Sequence, residues 1–169
     1  SINVMRDVLP LTGFAGIEVF NTTCRCAGRG ESSVHWDDWM QQQNRLYPAL
    51  ANDDSHALES AQRDTYQGWT WVRVKERTGP EIRDIQIRCS DREGDEKNPC
   101  EATVACSPAQ RIAAISDSTG TEYHQHGELF ETATFPLRAN SRWVRFEIVD
   151  QRGLKAWSNP FDLTGLARA

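Results

Sequence analysis

Several features that would assign a function class directly are missing from this sequence. No apolar run approaches the roughly 20 residues that cross a bilayer, and the stretch from Ser1 lacks the charged and apolar regions of a signal peptide. No Gly-rich phosphate loop or nucleotide fingerprint is present. The net charge is −5, whereas nonspecific nucleic-acid binding needs a basic face. We therefore expect no membrane partner and no nucleic-acid partner.

The cysteines are few and scattered, at positions 24, 26, 89, 100 and 106. Cys24 and Cys26 are separated by one residue, which is too short for the usual zinc knuckle. We expect reduced, partly buried thiols, because Cys89 and Cys100 could pair only if the chain folded in an oxidising compartment. The resulting expectation for location is the cytoplasm.

The chain does contain enough apolar material for a core, with 38% hydrophobic residues and six tryptophans in 169 residues. Residues 1–76 alternate between strand and helix patterns: Ile17–Asn21 as a strand, Trp36–Asn44 as a helix, Leu46–Ala51 and Trp69–Glu76 as strands. This order implies parallel strands. From residue 77 to residue 169 the pattern is β-rich, with strands at 82–89, 102–106, 111–115, 129–137 and 143–149.

The turn Asp53-Asp54-Ser55-His56 is the strongest candidate for chemistry. After a strand, residues two apart point to the same face, so Asp54 and His56 would converge at the strand end and could bind a divalent metal. Asp53 would act in the second shell and orient His56 or a nearby basic residue. The alternative is a polar turn in which Asp53 or Asp54 caps the segment that follows.

Glu18 and Asn21 stand at the end of another predicted strand. Asn21 could bind substrate or hold a metal ligand, as strand ends do in α/β barrels. Equally, Asn21 could simply end the strand while Glu18 pairs with a neighbouring base.

Five short motifs occur in an order that resembles the C-terminal half of PHP-domain proteins, the polymerase and histidinol phosphatase superfamily, in its carbaryl-hydrolase-like branch. The motifs are Gly16 to Asn21, Trp36-Asp37, Asp53 to His56, Cys106-Ser107-Pro108 and Trp157-Ser158-Asn159-Pro160. The resemblance implies an α/β fold: the C-terminal half of a distorted (βα)7 PHP-type barrel in residues 1–76, followed by a β-rich C-terminal region in residues 77–169.

The same resemblance implies a metal-dependent hydrolase, with phosphoester hydrolysis by a metal-activated water as its default chemistry. Divalent ions (Zn, Mn, Fe or Mg) would be the cofactors and a small-molecule phosphoester or related compound the substrate, while the oligomeric state stays open. The family's His-x-His motif does not occur before Gly16, so we expect the remaining metal ligands upstream of Ser1. The alternative function is a noncatalytic β-rich binding or interaction module beside a degenerate barrel half.

Overall fold

The computed structural model describes residues 4–55, 67–68, 70, 80–89, 99–118 and 122–166. Contacts between residues divide the chain into two compact units, Ser1–Glu76 and Arg77–Ala169. The predicted strand at residues 69–76 and the candidate ligand His56 lie outside the described residues.

In the described residues of the first unit, two helices lie in the chain between two parallel strands. Its elements are a short π-helical turn (Val4–Val8), β1 (Ile17–Asn21), α1 (Thr22–Cys26), α2 (Ser33–Gln43) and β2 (Ala49–Asn52). β1 pairs with β2 in parallel, so Asn21 lies beside Asn52 at the carboxyl end. The strand predicted at Ile17–Asn21 and its parallel pairing are confirmed.

α2 packs through one apolar face. Trp36 and Met40 are fully buried and Trp39 nearly so, because positions three and four apart lie on the same side of a helix. The Trp36 indole Nε1 donates to the Tyr47 carbonyl at 2.9 Å, which ties the helix to the segment that enters β2. The residue after α2, Asn44, caps its C-terminus in the left-handed conformation (φ 50°), which Asn tolerates better than most residues.

The second unit is built on one antiparallel sheet. Six of its strands are described: β3 (Ile82–Cys89), β4 (Cys100–Ser116), β5 (Glu122–Leu137), β6 (Trp143–Val149), β7 (Lys155–Trp157) and β8 (Phe161–Asp162). β4 is the central strand and pairs with β3, β5 and β6. The predicted bounds of β3 and β6 are confirmed, whereas the two strands predicted at 102–106 and 111–115 form one continuous strand.

One face of this sheet forms a continuous hydrophobic core. Val104, Ile112, Phe135, Phe146 and Ile148 are all at most 1% exposed. They occupy alternate positions of β4, β5 and β6, as the two-residue period of a strand requires. Burial of these side chains stabilises the unit by about 1.5–3 kcal/mol each.

The predicted α/β fold class, with half of a (βα)7 barrel, is wrong. The structure is β-rich and its main sheet is a curled antiparallel one. Among the described residues, parallel pairing is confined to β1 and β2. The local strand–helix–strand order of the first unit was read correctly, but long neighbouring strands such as β4 and β5 pair directly with each other and need no crossover helix.

The expectation of reduced thiols is also wrong for one pair. Cys89 and Cys100 are joined by a disulfide across the β3–β4 pair. Cys24 and Cys106 are free thiols. Burial raises the pKa of the Cys106 thiol to about 11, so this side chain behaves as a small core residue and not as a nucleophile.

Candidate functional site

Polar side chains from both strands of the first unit meet at the carboxyl ends of β1 and β2. Parallel pairing brings the two strand ends to the same edge, with Asn21 opposite Asn52. Asp53 and Asp54 follow β2 directly. Glu18 lies three residues before Asn21, and the strand register shifts between Glu18 and Phe20. In open sheets of parallel strands this edge is where ligands usually bind.

Asn21 is the centre of this group. Its side-chain Nδ2 donates to Glu18 Oε2 at 3.3 Å and to Asp54 Oδ2 at 3.2 Å. Its Oδ1 accepts from the Cys24 backbone N–H at 2.9 Å and so caps the start of α1. Only 8% of the Asn21 surface is exposed. Its capping bond to α1 fixes the side chain, whose NH₂ group then donates to two carboxylates.

Glu18 is oriented by amides on both of its oxygens. Asn21 Nδ2 donates to Oε2, and Asn52 Nδ2 donates to Oε1. These two donors are neutral, so they fix the position of the carboxylate without cancelling its negative charge. The Glu18 carboxylate is therefore held in place by two side-chain amides, which do not titrate in the usual pH range.

Asp54 combines an exposed side chain with an unusual backbone. Its φ is 51°, in the left-handed region that few non-glycine residues adopt. The Thr23 hydroxyl donates to the Asp54 carbonyl at 2.7 Å and helps to hold this conformation. Backbone conformations of this kind cost free energy and cluster at functional sites. Here the effect is to turn the Asp54 carboxylate toward Asn21.

Asp53 has a different environment and does not join the carboxylate pair. Its Oδ1 accepts three hydrogen bonds, from Thr22 Oγ1 at 3.0 Å and from the backbone N–H groups of Gln67 and Gly68 at 2.8 and 2.7 Å. Its carbonyl accepts from the Thr23 backbone N–H at 3.2 Å. Asp53 thus links the start of α1 to the chain at residues 67–68, which is a structural role.

The donor set suits a hard divalent cation. Carboxylate oxygens are ligands that Mg²⁺ and Mn²⁺ prefer, and an added imidazole would also suit Zn²⁺ or Fe²⁺. Glu18 and Asp54 supply two carboxylates at one edge. No group of three or more His, Cys, Asp or Glu side chains that could hold a metal occurs within the described ranges, which do not include His56.

The structure therefore brings together three of the residues singled out from sequence, Glu18, Asn21 and Asp54, and gives Asp53 a separate task. Sequence reasoning missed Asn52, whose amide orients Glu18. The available signal was the parallel pairing of the two strands, because the last residue of each strand then lies at the same edge. The short helix α1 was not predicted either, although Asn21 is a favourable N-cap residue.

A second polar cluster lies in the second unit around the buried Glu147. Its carboxylate accepts from Trp157 Nε1 at 2.8 Å and from the Arg111 guanidinium, and Lys155 Nζ lies 3.9 Å away. Cations and an indole N–H surround this carboxylate on neighbouring strands. These contacts connect β4, β6 and β7. They give Trp157, the first residue of the Trp157-Ser158-Asn159-Pro160 motif, a structural role.

Comparisons with known proteins give no assignment: no family model, curated protein or solved structure matches the chain. Among the described residues, no helix is long and apolar enough to cross a membrane.

Proposed function

We propose that the protein is a metal-dependent hydrolase that cleaves a small phosphoester with a metal-activated water. The observation that carries this proposal is the Asn21 amide, which donates to both the Glu18 and the Asp54 carboxylates at the carboxyl ends of two parallel strands. A pair of like charges close together is unfavourable without a counter-charge. A bound cation would supply that counter-charge.

Asp54 is the proposed metal ligand on the chain segment that the structure describes. Its side chain is exposed, and its left-handed backbone turns the carboxylate toward the strand ends. His56, two residues further on, is the proposed nitrogen ligand by sequence. Glu18 is held by two amides, so it is the proposed positioning carboxylate, whose negative charge lies beside the metal ligand Asp54.

A bound divalent ion would lower the pKa of its water and hold the phosphate oxygens. The chain's own contribution is to fix the two carboxylates. Asn21 achieves this because its Oδ1 is already engaged as the cap of α1, so its amide cannot rotate away without losing that bond. Preorganisation of this kind is what a metal site needs from the residues behind its ligands.

The PHP-like motifs support the same proposal. Asp53 to His56 and Gly16 to Asn21 are the two motifs that contribute side chains to this edge. The proposal does not rely on a barrel, because function belongs to the arrangement of groups at a site and not to a fold class.

The test is a conservative substitution at Asp54. Asp54→Asn keeps the side-chain shape, and Asn tolerates the left-handed backbone that Asp54 adopts. Its amide oxygen can still accept from Asn21, so only the negative charge is lost. We expect metal-dependent hydrolysis of p-nitrophenyl phosphate to fall by about 100-fold, with the melting temperature unchanged within about 2 °C.

The matched control is Asp84→Asn, the same chemical change on the exposed face of β3, where Asp84 accepts from Gln86 at 2.8 Å. This variant should hydrolyse at the wild-type rate. Equal activity of Asp54→Asn and wild type would remove Asp54 from the site. Failure of the wild-type protein to hydrolyse phosphomonoesters and phosphodiesters with any of Zn²⁺, Mn²⁺, Fe²⁺ and Mg²⁺ would contradict the proposal as a whole.

A further inference from the structure

The β3–β4 hairpin places two cysteines directly opposite each other. Cys89 is the last residue of β3 and Cys100 the first of β4, and the two are partners in the strand register. Their Cα atoms are 3.9 Å apart and their sulfur atoms are bonded. This Cα separation is below the limit of about 7 Å, beyond which two cysteines could not be bridged without backbone movement.

The register that creates this apposition is fixed by other residues. Ile85 pairs with Val104 and Ile87 pairs with Ala102, and all four belong to or pack against the hydrophobic core. A slip by one residue would turn these side chains away from the core. The pairing of Cys89 with Cys100 is therefore a consequence of core packing and does not depend on the cysteines themselves.

The hairpin has a physical need for a cross-link. The sequence between the two cysteines, residues 90–99, is twice the length of a usual hairpin loop and carries six charged residues. Closing a loop of this length costs conformational entropy. Within the described part of the sheet, β3 pairs with β4 alone, and its isoleucines are only partly buried. A covalent bond at the base of the loop offsets this weak attachment.

We propose that the Cys89–Cys100 disulfide stabilises the native protein and that the chain consequently matures in an oxidising compartment. The bond forms by exchange with an external disulfide, such as that of a thiol oxidoreductase. The Cys89 and Cys100 sulfurs lose two protons and two electrons and become bonded, while the external disulfide is reduced to two thiols. This location differs from the cytoplasmic expectation drawn from the sequence.

The other thiols that the structure describes are poorly placed for this reaction. Cys106 is fully buried, lies opposite Ile82 in the register, and has a pKa raised to about 11 by burial. Only the thiolate takes part in exchange, so Cys106 stays reduced. Cys24 is exposed in the first unit, where it should remain open to alkylation.

The first experiment identifies the bond in protein from the cells that naturally make it. Extracts are denatured in the presence of iodoacetamide, digested without reductant, and analysed by mass spectrometry. We expect a linked peptide pair containing Cys89 and Cys100, with Cys24 and Cys106 alkylated. Alkylation of both Cys89 and Cys100 before reduction, or a bond from either one to another cysteine, would overturn the proposal.

The second experiment tests the structural role in the purified protein. Reduction of the wild type should lower the melting temperature by about 5–12 °C. The double substitution Cys89→Ser with Cys100→Ser should melt at that lower temperature with or without reductant. Cys24→Ser is the matched control and should respond to reductant as the wild type does. A wild-type melting temperature that is unaffected by complete reduction would refute the structural role.

Discussion

Replacement of Asp53 by alanine tests whether this carboxylate has a structural role, distinct from the metal-binding role proposed for its neighbour Asp54. The Asp53 Oδ1 atom accepts from Thr22 Oγ1, Gln67 N and Gly68 N, all within 3.0 Å. A typical hydrogen bond contributes about 1 kcal/mol net, and those to charged acceptors somewhat more. Because Asp53 is partly exposed, we assign about 1 kcal/mol to each. Asp53→Ala should therefore destabilise the first unit by about 3 kcal/mol.

Asp53→Asn is the informative companion variant. An amide oxygen in the same position can accept the same hydrogen bonds, and only the charge is lost. We expect a cost of about 1 kcal/mol for this change. A large difference between the two variants would identify hydrogen bonding, and not charge, as the main contribution of Asp53.

Hydrogen exchange is the suitable assay, because a chain of two compact units need not unfold in one step. A loss of about 3 kcal/mol corresponds to roughly 100-fold faster exchange, and it should be seen in β1 and α1. Asp84→Ala, an exposed aspartate on β3, should leave exchange in β1 unchanged. If Asp53→Ala also leaves β1 and α1 unchanged, the structural role given to Asp53 is wrong.

Two further predictions concern stability. Trp36→Ala removes a fully buried side chain and its bond to the Tyr47 carbonyl, so the free energy of opening measured by hydrogen exchange in α2 should fall by about 3–5 kcal/mol. Burial alone would raise the pKa of Asp150, but hydrogen bonds from Leu154 N–H and Arg152 lower it overall. Its stabilisation is therefore present above the ordinary value of 3.8 and lost as pH falls below it. Asp150→Asn should lose stability at pH 7 and show a flatter decline in acid; equal slopes would contradict this assignment.

The strands that were predicted with correct bounds are those whose signal lies in their own residues. Ile17–Asn21 and Trp143–Val149 are rich in β-branched and aromatic residues. Their burial was less predictable. Arg145 and Glu147 are buried in β6, and Glu147 owes this to Arg111 and Trp157, which lie 36 and 10 residues away. Partners that distant leave no local pattern.

The candidate site was also predictable in part, because some of its residues are marked by their own position in the sequence. Polar residues at strand ends mark Asn21 and Asp54, and parallel pairing brings the two strand ends together. Glu18 lies near the start of β1, and its carboxylate joins this group through hydrogen bonds from Asn21 and Asn52. The different roles of Asp53 and Asp54, one structural and one proposed to bind metal, could not be predicted from the sequence. These neighbours have the same side chain but different surroundings. Asp54 has a positive φ, whereas the Asp53 carboxylate accepts from the backbone N–H groups of Gln67 and Gly68.

The fold class failed because it was taken from a resemblance between short motifs. The local strand–helix–strand order of the first unit agrees with that resemblance, but two parallel strands do not specify a barrel. The length of β4 decides the second unit, because its 17 residues pair with β3, β5 and β6 in turn. That length was hidden by Ser107-Pro108, which reads as a break although the strand continues through it.

Direct measurement of divalent-ion binding tests the central claim, that Glu18 and Asp54 form part of a metal site. Isothermal titration of the metal-free protein with Mn²⁺ should show saturable binding. Affinity should fall by about tenfold or more in Asp54→Asn and in Glu18→Gln, and it should be unchanged in Asp84→Asn. Wild-type protein that binds no Mn²⁺, or binds it equally well in all three variants, would contradict the assignment of this strand edge as a metal centre.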